Sequence, residues 1–116
     1  MKDRGCIFCE IVERKRPAAI LHETERLIAF KDIRPQAPIH VLIIPKEHIA
    51  TLNDLTPAHR ELMGEIFLVA KELAQKMGVA ETGYRTVFNC NRDSGQEVYH
   101  IHLHLLAGRR LYWPPG

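Results

Sequence analysis

The stretch His100-Ile101-His102-Leu103-His104-Leu105-Leu106 decides the fold, because three histidines alternate with aliphatic residues. Side chains on a β-strand alternate between its two faces, so a strand here puts Ile101, Leu103 and Leu105 into a core. The three imidazoles then share the other face, roughly 6–7 Å from one to the next. Since histidine titrates near neutral pH and binds metals, this face is a candidate site for metal binding, acid–base work or nucleophilic catalysis.

Outward from this segment, the sequence predicts an α+β fold with about five mostly antiparallel strands and one long helix. Turn residues and prolines separate the apolar runs that mark strands, and Asp32–Pro38 is a predicted loop. The predicted strands are Ile20–Glu23, Leu27–Phe30, His40–Ile44, Arg85–Cys90 and Val98–Leu106. A short helix or turn is predicted over Cys6–Val12.

The long helix is predicted from Pro57 to Met77. Thr56 is a suitable N-cap before a proline at the first helical position, and Gly78 is a suitable C-cap. Apolar side chains recur at intervals of three and four along one face. They are Leu62, Ile66, Val69, Leu73 and Met77. We expect this face to pack on the sheet.

Length and composition fit one domain over residues 1–116, since the chain is 46% hydrophobic and 26% charged. The net charge is only +2, and the densest basic run is Arg14–Arg16, so nucleic-acid binding is not indicated. No stretch approaches the roughly 18 apolar residues of a membrane span, and no signal-peptide core follows residues 1–5. We expect a cytoplasmic protein without a membrane or nucleic-acid partner, and its three cysteines do not indicate a disulfide framework.

Cys6-Ile7-Phe8-Cys9 is a C-x-x-C pair, which suggests half of a zinc site or a redox dithiol. A thioredoxin-like motif would follow a strand and open a long helix, so redox chemistry is the weaker option. Two inert thiols are the remaining alternative. Zinc would need two further ligands, for which seven histidines are available.

The polar loop Asn91–Glu97 directly precedes the histidines and could present backbone N–H groups to an anion, although an ordinary hairpin loop is the simpler interpretation. Imidazoles beside such a loop allow metal-assisted hydrolysis, or phosphoryl or nucleotidyl transfer through a covalent histidine. The outer imidazoles of one strand face are roughly 13 Å apart, so they cannot all bind one metal. This distance favours an end histidine as a metal ligand and the central histidine as the reacting group.

The chain resembles the histidine triad (HIT) superfamily, and within it the Hint branch of purine nucleoside phosphoramidases. The family motif His-φ-His-φ-His-φ-φ is matched in full by His100–Leu106. Further segments resemble Hint segments in matching order over nearly the whole chain. They are Phe30–Pro38, Ile43–His48, Gly83–Arg85, Gly95–Tyr99 and Trp113–Gly116.

The resemblance implies hydrolysis of the P–N bond of nucleoside phosphoramidates such as adenosine phosphoramidate, adenylated lysine or aminoacyl adenylates. His102 would attack the α-phosphorus and form a nucleotidyl-histidine, which water then hydrolyses. His104 would hydrogen-bond the phosphoryl oxygens or the leaving group. His40 matches the fourth family histidine, and His100 opens the triad.

The resemblance also assigns substrate-binding positions. Asp32 matches the acid that accepts both ribose hydroxyls of an AMP-type ligand, and Trp113 lies on a tail that reaches toward a partner's site in relatives. Phe30 and Ile33 fall at the apolar base slot, and Asn89, Gly95, Gln96 and Val98 fall at the phosphate and ribose loop. Glu97 stands where eukaryotic relatives carry serine, so Glu97, His104 or water could protonate the leaving amine.

The resemblance bears on zinc and on assembly as well. Relatives with an N-terminal C-x-x-C bind one structural zinc through positions that are here Cys6, Cys9, His48 and His100, and no organic cofactor is implied. Hint proteins are homodimers that pair through the long helix and an edge strand into a ten-stranded sheet. The helix carries apolar residues beyond its predicted core stripe, although a single buried face would also explain them. They are Ala58, Met63, Phe67, Leu68 and Ala70.

Two other functions fit the sequence. A Fhit-like dinucleoside polyphosphate hydrolase would keep the triad but lacks the ending Trp113–Gly116. A nucleotide-binding interaction module with little catalysis is the second alternative. Transferase branches carry Gln at the third triad position, so His104 favours hydrolysis.

Overall fold

The computed structural model describes residues 5–116 and contains a five-stranded antiparallel sheet. The strands are β1 (Ile20–Glu23), β2 (Leu27–Lys31), β3 (Ile39–Pro45), β4 (Tyr84–Val87) and β5 (Leu103–Ala107). Their order across the sheet is β1-β2-β3-β5-β4, and every neighbouring pair is antiparallel. The predicted α+β fold is confirmed. Residues 1–4, which belong to the segment where the sequence predicts no signal peptide, lie outside the described residues.

Helices cover both faces of the sheet, which explains why Leu27–Phe30 of β2 and Val41–Pro45 of β3 are apolar without interruption. The long helix α2 (Arg60–Lys76) packs on one face, and the short helix α1 (Ile7–Val12) packs on the other. Alternate strand residues enter the two layers. The α2 layer holds Leu27, Ala29, Val41, Ile43, Ile101, Leu103 and Leu105, and the α1 layer holds Ile28, Phe30, Leu42 and Ile44. Within residues 5–116, no helix is both long and apolar enough to cross a bilayer.

The long helix differs from its prediction in two details. Pro57–His59 forms a 3₁₀ turn, in which the His59 ring accepts the Thr56 N–H at 3.0 Å, and α2 begins only at Arg60. Ala70, predicted to lie beyond the core stripe, is 2% exposed and belongs to the core, because the buried stripe is wider than a single row of side chains. Phe67 and Leu68 are 47% and 66% exposed, as the prediction of a second apolar face requires.

Strands β4 and β5 are shorter than predicted, since β4 ends at Val87 and β5 begins at Leu103. The partner strand β3 ends at Pro45, which has no N–H to continue the ladder. Ile101 instead donates its N–H to the Ile49 carbonyl at 2.8 Å. The stretch before β5 keeps the predicted alternation, with its histidines facing the α1 layer.

Candidate active site

His102 is held as a neutral imidazole with one ring nitrogen open. Its Nδ1–H donates to the His100 carbonyl oxygen at 2.8 Å, so Nε2 carries the lone pair. Burial lowers the pKa of His102, against the raising effect of that hydrogen bond and of the carboxylates of Asp32 and Glu97. Phe8 packs edge-on against the ring, with centroids 5.1 Å apart. Among residues 5–116, Nε2 has no hydrogen-bond partner, which suits a nucleophile.

His104 is held in the opposite tautomer by a hydrogen-bonded chain. The backbone N–H of Gln36 donates to His40 Nδ1 at 3.0 Å, so the proton of neutral His40 lies on Nε2. That Nε2–H faces His104 Nδ1 at 2.9 Å and Asp32 Oδ2 at 3.4 Å. His104 therefore accepts at Nδ1 and keeps its own proton on Nε2.

The neighbouring imidazoles of His102 and His104 thus offer different atoms to a ligand. Their ring centroids lie 4.9 Å apart. Burial lowers the pKa of His104 to about 4, so at pH 7 both rings are neutral. One Nε2 offers a lone pair and the other a proton, which are the two functions that a displacement needs at its nucleophile and at its anionic oxygens or leaving group.

A second cluster joins the C-x-x-C pair to the first histidine of the triad. The ligand atoms of Cys6, Cys9, His48 and His100 all lie within 4.8 Å of one another. Nδ1 of His48 and Nδ1 of His100 are 3.3 Å apart, and the sulfur–nitrogen distances are 3.3 to 3.6 Å. Tetrahedral zinc with ordinary bond lengths spaces two nitrogens about 3.3 Å apart and nitrogen and sulfur about 3.6 Å apart. The cluster therefore has the dimensions of a closed zinc site.

The protonation of this cluster also fits a metal. His100 Nε2–H donates to the Pro45 carbonyl at 2.7 Å, which leaves the Nδ1 lone pair directed into the cluster. Burial is the main cause that raises the pKa of the Cys6 thiol to about 11 in the absence of a cation. A bound divalent ion reverses that preference, because a coordinating thiol loses its proton.

Asp32, His40 and His104 form another compact group whose ligand atoms could surround an ion. Its hydrogen bonds disfavour that use. His40 accepts the Gln36 N–H at Nδ1, so its Nε2 must carry a proton and has no lone pair for a metal. We therefore interpret this group as a hydrogen-bonded chain and the cysteine–histidine cluster as the better candidate for a metal site.

The loop Asn91–Glu97 is organised by one buried amide. Gln96 accepts the Asn91 N–H at 2.8 Å and donates its Nε2 protons to the carbonyls of Ala50 and Val98 at 2.9 and 3.1 Å. These bonds use both N–H groups of the side chain. Gln96 thus shapes the loop, and its own backbone N–H also serves the loop, because it donates to the Asn91 carbonyl at 3.2 Å.

The other positions that the sequence predicts at or beside this loop are Asn89, Gly95, Glu97 and Val98. Gly95 has φ +87°, a left-handed conformation that favours glycine. Asn89 and Val98 are half-buried, and Glu97 is exposed. The negative charge of Glu97 acts in the direction that raises the pKa of His102.

The positions named for the base, the ribose and the tail have different surroundings. Phe30 is 3% exposed in the α1 layer, while Ile33 is 90% exposed. Asp32 is half-buried and accepts the Arg34 N–H at 2.8 Å. Trp113 is 82% exposed on the tail, so this chain alone does not bring it into the cluster of histidines.

Sequence reasoning missed three contributors to the site. Phe8 occupies a variable position of the C-x-x-C pattern, yet it packs on His102. The Gln36 N–H and the Pro45 carbonyl fix the protons of two histidines through the main chain. An aromatic residue inside a C-x-x-C pair was a visible signal, whereas main-chain partners leave no signature in side-chain patterns.

Comparisons with known proteins identify the family of the chain. Residues 5–110 match the family model described as scavenger mRNA decapping enzyme C-term binding, which is HIT-like. The HIT family hydrolase from Legionella pneumophila Philadelphia 1 is 56% identical, with a TM-score of 0.95, 97% of this chain and 100% of that chain covered.

Two further relatives are similar in sequence. The purine nucleoside phosphoramidase of Escherichia coli K12 is 49% identical over 90% of this chain and 88% of its own length. An uncharacterized HIT-like protein from Synechococcus elongatus is 49% identical over 95% of this chain and 96% of its own length. The chain is therefore a hydrolase of the histidine triad family.

Proposed function

We propose that this protein hydrolyses the P–N bond of purine nucleoside 5′-phosphoramidates through a nucleotidyl-histidine on His102. The observation that carries the proposal is the pair of Nε2 atoms on His102 and His104, one a lone pair and one a donor. The activity named for the Escherichia coli relative supports the substrate class.

The reaction runs in two displacements. His102 Nε2 forms a bond to the α-phosphorus as the P–N bond to the leaving amine breaks, and that amine takes the bonding pair and a proton from Glu97, His104 or water. Water then attacks the phosphorus and returns a proton to the group that protonated the amine, while the bond to His102 breaks and the nucleoside monophosphate is released. The His104 Nε2–H and loop N–H groups stabilise charge on the phosphoryl oxygens in both steps.

Residues around the triad would hold the nucleotide. We assign the ribose hydroxyls to the Asp32 carboxylate and the base to a slot that includes Phe30 and Ile33. The loop residues Asn89, Gly95, Gln96 and Val98 would surround the phosphate and ribose. Trp113 would act on a partner's substrate, since it is exposed at the tail.

Cys6, Cys9, His48 and His100 would hold one structural zinc per chain, as the cluster's distances and protonation allow. Zinc would tie the α1 segment to the stretch that carries the triad. We further propose that residues 1–116 act as one domain in the cytoplasm, where thiols stay reduced.

The proposed function is tested by AMP release from adenosine phosphoramidate and, in parallel, from diadenosine triphosphate. Preference for the phosphoramidate, with a mass increase of one AMP on His102 in rapidly quenched protein, supports the proposal. Preference for the dinucleotide replaces it with the Fhit-like activity. If neither is cleaved while AMP binds, the protein is a nucleotide-binding module.

Glu97→Gln tests the origin of the leaving-group proton. Glu97 is exposed and acts electrostatically on His102, so its carboxyl can serve a group that departs toward solvent. We expect turnover of a poorly leaving alkylamine to fall roughly tenfold and that of a good leaving group to change little. Steady-state rates on both substrates measure this, and equal slowing of the two would reject the role.

We also propose a homodimer that pairs through α2 and the edge strand β4 into a ten-stranded sheet. Phe67 and Leu68 on α2 and Tyr84 on β4 are 47%, 66% and 39% exposed, and β4 is an edge of the sheet. Large apolar side chains exposed together mark interaction surfaces.

Leu68→Glu is expected to convert this dimer to a monomer, because a buried unpaired carboxylate in each subunit is costly. Light scattering over a concentration series measures the change. Ile20→Glu is the matched control, since Ile20 is a 38% exposed apolar residue on β1, the opposite edge. A wild-type protein that is monomeric throughout the series would remove the proposal and, with it, the role of Trp113.

A further inference from the structure

Arg109 follows β5 directly and reaches back to the loop before β3. Its Nε–H and Nη2–H both donate to the Gln36 carbonyl oxygen, at 3.3 and 2.9 Å, while Nη1–H donates to the Arg110 carbonyl at 2.9 Å. All three guanidinium nitrogens thus donate to main-chain oxygens although the residue is exposed. Neither a carboxylate nor a substrate role is needed to explain its orientation.

The backbone brings these segments together. Ile39 pairs with Ala107 in the β3–β5 ladder, and Gly108 continues from it with φ +95°. A Cβ on Gly108 would lie 2.9 Å from Pro38 Cβ, so the turn after β5 touches the Asp32–Pro38 loop. This contact puts the Arg109 side chain within reach of the loop carbonyl.

Gln36 is the residue whose N–H determines the tautomer of His40. The N–H donates to His40 Nδ1, and His40 Nε2–H in turn donates to His104 Nδ1. Gln36 is therefore held by hydrogen bonds on both sides, from Arg109 at its carbonyl oxygen and to His40 at its N–H. Movement of this loop residue would release His40 to the other tautomer, in which Nδ1 carries the proton and Nε2 cannot donate to His104.

We infer that Arg109 is a positioning residue, which holds Gln36 so that His40 keeps its proton on Nε2 and His104 presents an Nε2–H beside His102. The inference rests on the proposed function only for its kinetic consequence. The Gln36 side chain takes no part, because its Nε2 donates to the Arg34 carbonyl at 2.9 Å. Arginine suits the position, since its planar fork directs two N–H groups at one oxygen and a lysine ammonium does not hold that geometry.

Arg109→Ala, with Arg109→Lys and Arg110→Ala beside it, tests the inference. Arg110→Ala is the matched control, because it removes a neighbouring exposed guanidinium and keeps the main-chain carbonyl that Arg109 uses. Two-bond ¹H–¹⁵N correlations of the histidine rings report which nitrogen carries each proton without any substrate.

In the wild type we expect protons on Nε2 of His40 and His104 and on Nδ1 of His102. Arg109→Ala should give mixed tautomers at His40 and His104, while His102, held by the His100 carbonyl, keeps its pattern and reports an intact fold. Arg109→Lys should recover the wild-type pattern in part, and Arg110→Ala should leave it unchanged.

The kinetic expectation is a roughly tenfold lower kcat for Arg109→Ala at nearly unchanged KM, since only part of the contribution of a positioned proton donor is lost. Wild-type tautomers in Arg109→Ala overturn the inference, whether or not kcat falls, because Arg109 would then act by another route. An Nδ1 proton on wild-type His40 also overturns it. A wild type that cleaves no phosphoramidate rejects the proposed function instead and leaves the tautomer result valid.

Discussion

His102→Ala is expected to lower AMP release from adenosine phosphoramidate by about 10³-fold or more, as when a covalent nucleophile is removed. Nε2 of His102 has no hydrogen-bond partner among residues 5–116. In the other two triad histidines, hydrogen bonds to His40 and to the Pro45 carbonyl determine which ring nitrogen carries the proton. Neither His104 nor His40 can substitute for it, because the Nδ1 lone pair of each accepts a hydrogen bond and its Nε2 carries the proton.

Single-turnover rates and AMP binding, measured on the same preparations, separate chemistry from folding. The variant should bind AMP within a few-fold of the wild type, since the loss concerns bond formation rather than binding. His22→Ala is the matched control, because His22 lies on β1 away from the triad, and it should retain full activity. A His102→Ala protein that keeps more than about a tenth of the rate would exclude the covalent intermediate.

The pattern at His100–Leu106 was sufficient to predict both a core and a site. Side chains alternate between the two faces of a strand, so the aliphatic residues indicate a core on one face and the histidines a site on the other. It could not reveal that α1 covers the histidine face, which makes His100 fully buried instead of solvated. The burial of that face is a tertiary effect of the C-x-x-C segment folding over the sheet, and it is the main cause of the lowered histidine pKa values.

Element boundaries were predictable where the chain itself ends an element and not where a partner does. Pro45 ends β3 as expected, since proline has no N–H to donate. β5 begins at Leu103, which pairs with Ile43 although β3 itself continues to Pro45, and no property of Val98–His102 encodes this end of the pairing. The proton chain was hidden for a similar reason, because the Gln36 N–H belongs to the backbone that every residue shares.

The second large effect is expected from Cys9→Ser, which should abolish zinc binding and lower the melting temperature by roughly 10–20 °C. A metal present at about 10³ times its Kd stabilises the folded state by about 4 kcal/mol. For a chain of this size each kcal/mol corresponds to several degrees. Serine is nearly isosteric with cysteine, so packing is conserved and the loss reports the ligand.

Metal analysis and thermal unfolding of purified protein never exposed to chelator measure both quantities. The wild type should hold about one zinc per chain, as a four-ligand structural site requires. Cys90→Ser is the matched control, because Cys90 is a half-buried free cysteine outside the cluster. Chelation should lower the melting temperature of the wild type and leave that of Cys9→Ser unchanged. Purified wild-type protein without zinc would contradict the proposed zinc site.

Loss of the metal should reach the triad through one residue. His100 would bind zinc through Nδ1, while its carbonyl oxygen accepts the Nδ1–H of His102 at 2.8 Å and its Nε2–H is anchored on Pro45. Without the metal the His100 ring loses its bond at Nδ1, so the main chain that carries the carbonyl fixing the His102 tautomer is positioned less firmly. We therefore expect the fraction of His102 that is protonated on Nδ1, read from its ring ¹⁵N shifts, to fall in Cys9→Ser. Added zinc should not restore this fraction in the variant. In chelated wild-type protein, the same fraction should recover when zinc is returned.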